Sequence, residues 1–212
     1  MNQRIGLQDQ LISELDRAIR MLFTSPTPNR PSPAGKLPDP NLKPNDRLKS
    51  ISLMRVNHAG EISAQALYSG QAIMARSKKT RTQLLGAAAE EQDHLAWCAE
   101  RLAQLEGKSS RLDPLWYLGS FCIGILAGAP GDSVSLGFVA ETEKQVEAHI
   151  EDHLERLPKT DTKSAAILRR MASDEAHHGT TAQLAGGTKL PAPVRFVMAC
   201  GGGILRRIAL RI

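Results

Sequence analysis

The sequence predicts an all-α protein, a four-helix bundle with additional interfacial apolar helices. Aromatic residues are scarce, while Ala, Leu, Glu, Gln and Arg are common, a composition that leans towards helix. Apolar residues recur at helical spacing through four segments, at roughly 46–77, 81–106, 132–157 and 161–184. No stretch alternates apolar and polar residues long enough to argue for a sheet.

At 212 residues the chain fits one domain with a sizeable core plus tails. Residues 1–45 form an N-terminal amphipathic segment and Pro-rich linker, and residues 46–212 the helical domain. Residues 8–23 form a short amphipathic helix with Leu11, Leu15, Ile19 and Leu22 on one face. Between Thr24 and Asn45 lie Pro26, Pro28, Pro31, Pro33, Pro38, Pro40 and Pro44, which forbid regular helix and predict an extended linker. Gly107 and Pro158 are stop signals for the second and third bundle helices, and Asp132 and Asp161 are candidate N-caps for the third and fourth.

Two further segments are unusually apolar. Leu115–Pro130 (LWYLGSFCIGILAGAP) is short of a spanning helix and is interrupted by Gly119, Gly124 and Gly128. Val194–Ile212 combines an apolar run with a Gly201-Gly202-Gly203 break and Arg206, Arg207 and Arg211. Both can be read as buried helices. The preferred reading lays them in a membrane interface, with Trp116 and Tyr117 at headgroup level and the arginines on phosphates.

The net charge of +5 comes without depletion of acidic residues, and no basic stripe is interleaved with stacking aromatics, so nucleic acid is not an expected partner. The positive balance suits anionic lipid. Cys98, Cys122 and Cys200 are far apart and odd in number, reading as apolar residues in a reducing compartment. Met1–Arg20 lacks the continuous apolar core of a signal peptide, so export is not expected.

The chemistry is carried by two Glu-x-x-His pairs, Glu91/His94 in EEQDHL and Glu175/His178 in DEAHHG. Residues three apart share a helix face, so each pair offers a carboxylate and an imidazole to one point. Both pairs fall inside apolar stripes: Leu84, Ala87, Ala88, Leu95, Cys98, Leu102 and Leu105 in one helix, Ala165, Leu168, Met171, Ala172 and Ala182 in the other. Core-facing ionisable groups cost several kcal/mol each unless paired or metal-bound, so a cation is expected between these helices. Glu61 shares the face of Met54, His58 and Tyr68 in the first helix. In the third, the stripe Leu136, Val139, Val146, Ile150, Leu154 and Leu157 passes through Glu143 and misses Glu141. The result is a pseudo-repeat, Glu61 before Glu91/His94 and Glu143 before Glu175/His178. This is the ligand set of ferritin-like di-iron and di-manganese carboxylate proteins. Of the other histidines, His149 is the foremost candidate to support the ligands, while His153 and His177 are assigned to solvent.

LMRVNHAGEISAQALYSGQ, EEQDHL, DPLWYLGSFCIG and DEAHHG together resemble the demethoxyubiquinol hydroxylases of ubiquinone biosynthesis, over about residues 46–212. The MRV-x-HAGE block carries most of that specificity. The resemblance implies a di-iron monooxygenase that hydroxylates the benzoquinol ring of a polyprenylated demethoxyubiquinol with O2 and two electrons. It implies two iron ions per chain, with Glu61 and Glu143 as terminal ligands, Glu91 and Glu175 bridging, and His94 and His178 binding one iron each. It also implies peripheral attachment to the cytoplasmic face of the cell membrane. The implied partners are a polyprenyl quinol, the lipid surface, O2, an electron donor the sequence does not identify, and a possible homo-oligomeric copy. The tyrosine that the family pattern places after His149, with a role in electron delivery, is Ile150 here. The rivals are a ferritin-like iron-storage or peroxide-detoxifying protein, a di-iron hydroxylase of another substrate, and a helical membrane scaffold without metal.

Overall fold

The computed structural model describes residues 7–24 and 26–212, with side chains from residue 12 onward. Leu11, expected on the apolar face of the first helix, and Ser25 lie outside the described side chains. Seven helices are present among the described residues, and no strand: α1 (Leu7–Phe23), α2 (Pro44–Met74), α3 (Lys78–Gln104), α4 (Asp113–Gly128), α5 (Asp132–Arg156), α6 (Thr162–Leu184) and α7 (Ala192–Ala209).

Helices α2 and α3 form one hairpin and α5 and α6 a second, and the two pack together chiefly where α3 meets α6. The connection between the hairpins is long and contains α4, the single long crossover of a ferritin-like bundle. The helix ends follow local chemistry. Ser77 caps α3 by accepting from the Thr80 N–H, and Asp161 caps α6 by accepting from the Ser164 N–H. Asp132 departs from expectation: Gly131 is the N-cap of α5, and Asp132 is its first residue. Its carboxylate instead accepts from the backbone N–H groups of Arg76 (2.8 Å) and Ser77 (2.9 Å), tying the start of α5 to the α2–α3 turn.

The expected stripes supply the core. Leu102, Leu105, Ile150, Leu157, Leu168 and Met171 form the larger cluster together with Trp97, and Leu84, Ala88, Leu136, Val139 and Ala182 form a second. Burying a large aliphatic side chain contributes about 1.5–3 kcal/mol, which makes these stripes the main force that pairs the hairpins.

Helix α4 lies along α2 at very short range. A side chain added at Gly70 would run into the backbone of Phe121 and Gly124, and one added at Gly124 into the backbone of Leu67. Glycine is needed there for close approach. Because α4 is seated in this way, Tyr117 is buried and Phe121 stacks on it from partly buried ground, at 6.3 Å between ring centroids. Trp116 packs against Val56, Ala59 and Ala209. The structure thus corrects the expectation of Trp116 and Tyr117 at headgroup level, since both turn to the bundle. The outward residues of α4 are Leu115, Leu118, Ile123 and Leu126.

Helix α1 packs on the bundle through Ala18, Met21 and Leu22, while Ile12, Leu15, Ile19 and Phe23 stay exposed. Of the apolar face expected there, only Leu22 among the described side chains finds the core. Helix α7 rests on α2 through Ala209, with Leu205 and Leu210, and exposes Val194, Phe196, Val197 and Ile204. Among the described residues no helix is long and apolar enough to cross a membrane.

Over residues 26–43 the Pro-rich stretch contains neither helix nor strand, but Pro44 opens α2 rather than blocking it, since a first-turn residue needs no N–H partner, and the stretch is docked on the bundle. Ala34 is buried in the main core and Leu42 packs against it. Trp97 Nε1 donates to the Arg30 carbonyl (3.2 Å), with the Arg30 guanidinium 5.1 Å from the Trp97 ring centroid.

Candidate metal centre

The six residues singled out from spacing converge at the centre of the bundle, one carboxylate each from α2 and α5 and a Glu-x-x-His pair each from α3 and α6. Glu61, Glu91, Glu143, Glu175 and His94 are almost wholly buried, and His178 nearly so. Their donor atoms fall into two overlapping groups. Glu61, Glu91, His94 and Glu175 make one, and Glu91, Glu143, Glu175 and His178 the other, with all atoms of a group within 4.8 Å of one another. Glu91 and Glu175 belong to both groups, and each divides its oxygens between them. Glu91 Oε2 lies 2.8 Å from His94 Nδ1 and its Oε1 3.2 Å from His178 Nδ1. Glu175 Oε1 lies 3.2 Å from His94 Nδ1 and its Oε2 3.4 Å from His178 Nδ1.

Helical geometry explains this arrangement. Each imidazole sits one turn after its own glutamate on the same face, and the apolar stripe that contains the pair turns that face inward. Glu143 is buried in the cluster, whereas Glu141 lies at the periphery and accepts from Gln145 Nε2 (2.8 Å). The stripe register separated these neighbours.

Protein groups alone leave the cluster unsatisfied. Glu61 Oε2, Glu91 Oε1, Glu143 Oε1, Glu175 Oε2 and His178 Nδ1 are buried without a hydrogen-bond partner. Burial first, then the neighbouring carboxylates, pushes Glu61 and Glu143 well above the usual carboxylate range. Glu91 is held below that range, because the charges of His94 and His178 outweigh its burial. His94 is raised despite burial by Glu91, Asp174, Glu175 and Glu61, and His178 is raised to about 12 by Glu175 and Glu91. Four buried carboxylates with orphaned oxygens and two inward imidazole nitrogens fit a pair of divalent cations, whose charge the carboxylates balance. Hard oxygen donors mixed with imidazole suit iron or manganese.

Spacing did not reveal the groups behind the imidazoles. His94 Nε2 lies 3.1 Å from Asp174 Oδ2, and His178 Nε2 2.9 Å from Glu90 Oε2. Each acid directly precedes the glutamate of the opposite pair, so the two halves orient each other's imidazoles. This leaves Nδ1 of each ring facing the centre. The signal was present in the sequence as the doublets Glu90-Glu91 and Asp174-Glu175. Asp174 is in turn held by Arg30 (2.9 Å) and Arg170 (3.1 Å), and Arg30 also grips Asp93 (2.6 Å). The Pro-rich stretch therefore reaches the outer side of the cluster.

The remaining histidines are distributed as follows. His177 is exposed, as expected. His153 is buried rather than solvent-facing, with Nδ1 3.1 Å from Asn57 Nδ2. His149 turns edge-on to His153, 5.2 Å between centroids, and hydrogen bonds the backbone of Gln145. His58 sits beside Asp113 at 3.6 Å.

Residues 49–205 match the family described as ubiquinone biosynthesis protein COQ7. A 3-demethoxyubiquinol 3-hydroxylase of Xanthomonas campestris pv. campestris (strain 8004) is 52% identical over 203 residues, covering 96% of this chain and 94% of that protein. Proteins of the same name from Xanthomonas axonopodis pv. citri (strain 306) and Cupriavidus metallidurans are each 50% identical. The first covers 96% of this chain and 94% of the relative, the second 96% and 100%. The similarity takes in the Pro-rich stretch as well as the bundle. With the family match spanning the bundle and relatives alike over nearly the whole length, the chain belongs to the family of ubiquinone biosynthesis protein COQ7.

Proposed function

We propose that this protein is an oxygen-dependent di-iron monooxygenase that hydroxylates the ring of a polyprenylated demethoxyubiquinol in ubiquinone biosynthesis. The observation that carries this is the pair of overlapping donor groups sharing Glu91 and Glu175. Glu61 and His94 would hold one iron, Glu143 and His178 the other, with Glu91 and Glu175 between them. When bound, such a pair supplies the redox chemistry that ring hydroxylation by O2 requires and that no side chain here provides.

The chain's own residues prepare the reaction. Asp174 and Glu90 fix the two imidazoles so that Nδ1 of each faces inward. Leu95 and Trp97 beside His94 on α3, Ile150 on α5 and Met171 on α6 are fully buried, which keeps the bundle interior dry. A storage or peroxide-detoxifying role would use the same donors but has no need of three neighbouring helices with outward apolar residues. Helix α4 packs beside α1 through Tyr117 and Phe121 and beside α7 through Trp116. The exposed faces of these helices therefore support peripheral attachment to the cytoplasmic face of the cell membrane, where a long-tailed quinol dissolves. Arg206, Arg207 and Arg211 have no acidic partner among the described residues and suit lipid phosphate.

The test is metal analysis of the purified protein together with aerobic turnover of demethoxyubiquinol in liposomes with a chemical reductant. Two irons per chain and a product heavier by one oxygen atom, carrying label from 18O2, are expected. Zinc alone at the site, or no oxygen transfer by iron-loaded protein, would overturn the reading.

A further inference from the structure

A cavity of about 350 Å3 separates the inner face of α1 and the start of α4 from α2 and α3. Its walls are mixed, with apolar stretches from Met21, Leu22 and Phe23 on one side and Ile62, Ala99 and Leu102 on the other. Thr24 and Ser109 line it too, with Ser109 bonded to the Asp113 carboxylate, and two buried ionisable side chains face it, His58 from the MRV-x-HAGE block and Asp113 from the first turn of α4. Both are more than nine-tenths buried, and both have an orphaned atom, His58 Nδ1 and Asp113 Oδ1. They do not satisfy each other, since the nearest approach of Nδ1 to the Asp113 carboxylate is 3.6 Å. A buried polar atom left unpaired costs about 1–3 kcal/mol, so two of them around one cavity point to a ligand that supplies the partners.

Their chemistry narrows the ligand. No Lys or Arg lines the cavity, so an anion would find no counter-charge and would meet Asp113. Burial lowers His58 to about 4, which keeps the imidazole neutral, and raises Asp113 only to about 6, which leaves it mostly ionised at neutral pH. A neutral imidazole and a carboxylate beside apolar side chains match a ring that carries O–H groups. The volume lies at the small end for ligand pockets and suits one substituted ring without a tail.

The position adds a second argument. His58 and Glu61 lie one turn apart on α2, and the α3 wall belongs to the helix that carries Glu91 and His94. The opposite walls belong to α1 and α4, whose outer faces expose Phe23, Leu115 and Leu118. The cavity thus lies under the outward apolar faces and against the two helices that carry Glu61, Glu91 and His94.

We propose that this cavity binds the headgroup ring of the quinol, with Asp113 Oδ1 accepting a hydrogen bond from a ring hydroxyl and the neutral His58 donating from Nδ1–H to that hydroxyl's oxygen. This rests on the quinol hydroxylase reading given above. The proposal makes His58 and Asp113 binding residues for the substrate rather than metal ligands or structural polar residues.

The experiment uses the iron-loaded full chain under anaerobic conditions, titrated calorimetrically with trimethylhydroquinone, a tail-free quinol. One molecule is expected to bind per chain. Asp113→Asn and His58→Gln should each raise Kd about tenfold, the effect of one lost hydrogen bond to a buried group. Ala99→Phe, which fills the cavity while sparing both polar groups, should abolish binding. Iron content should be unchanged in all three, and KM for a short-tailed demethoxyubiquinol analogue should rise far more than kcat falls. Wild-type protein that does not bind the probe, or variants that bind it as the wild type does, would overturn the proposal. If Ala99→Phe fails to fold, Asp113→Asn decides. Turnover by wild-type protein with no effect of these variants would sink the cavity assignment and leave the hydroxylase reading standing. Probe binding through His58 and Asp113 in a protein that transfers no oxygen would do the reverse.

Discussion

Replacing Arg30 by Ala tests whether the Pro-rich stretch is part of the metal centre. The Arg30 guanidinium lies 2.6 Å from Asp93 and 2.9 Å from Asp174, and the same Asp174 oxygen is 3.1 Å from His94 Nε2. Side-chain exposure decides the magnitude: 31% for Arg30, 4% for Asp93 and 11% for Asp174. Breaking a fully buried pair costs about 3–5 kcal/mol, and breaking an exposed one under about 1 kcal/mol. Both acids keep other partners. Asp93 retains the Asn29 N–H (2.5 Å), and Asp174 retains Arg170 and His94. An intermediate loss of about 2 kcal/mol follows, a drop in Tm of about 4–8 °C for a domain of this size. Because Asp174 orients His94, iron affinity should also fall, by about tenfold, the lower end for loss of a supporting group. Thermal melts followed by circular dichroism measure the first quantity, and equilibrium dialysis with ferrous iron the second. Arg30→Lys keeps the charge but not the two-pronged grip and should recover only part of both. A Tm within about 1 °C of wild type together with unchanged iron affinity would refute the reasoning, leaving the stretch as a passive cover.

Glu143→Ala should abolish hydroxylation and reduce iron loading, whereas Glu141→Ala, which loses only a bond to Gln145, should change turnover less than about threefold; a reversal would mean the α5 register is misread. Flotation with anionic liposomes should be only partly reversed by high salt, and Leu118→Asp with Leu126→Asp should reduce it. These two are the more exposed residues of α4, whereas Phe121 and Ile125 are half-buried, and a change there would confuse docking with folding. The fourth prediction concerns pH. His153 is lowered to about 4 by burial and then by Arg156, against the opposing charge of Asp152 and with further contributions from Arg206. A histidine depressed in the folded state is protonated preferentially in the unfolded chain, so its effect is absent above pH ~6.5 and destabilises the fold as pH falls towards 4. Metal-free His153→Gln protein should lose less stability over that window than the wild type, by up to about 1.4 kcal/mol per pH unit. Parallel denaturation curves for the two proteins would contradict this.

Much of the centre was legible because a helix converts spacing into direction. Glu91/His94 and Glu175/His178 declare themselves by three-residue spacing inside apolar stripes, and Glu143 is separated from Glu141 by the same stripe. Asp174 and Glu90 were harder to assign. Each serves the imidazole of the other hairpin, and no spacing within one helix encodes a contact between helices. Arg30 was less accessible still, since it comes from a stretch without periodicity and reaches Asp174 across 144 positions of sequence.

By itself the sequence determined the elements, the ligand types and the family's motif blocks, because helix periodicity, proline and glycine act over a few residues. Only the tertiary structure decided which sides of the accessory helices face out. Tyr117 and Trp116 turn inward because Gly70 and Gly124 let α4 press onto the backbone of α2. Leu15 and Ile19 stay exposed because α1 turns Ala18, Met21 and Leu22 to α2 and α4, with Arg17 reaching Ser69. The orphaned pair of His58 and Asp113 exists only because α2 and α4 bring residues 55 positions apart to the edge of one cavity. Local preference sets what each helix is, but the outward face depends on the close packing of helix against helix, and that is a property of the assembled chain.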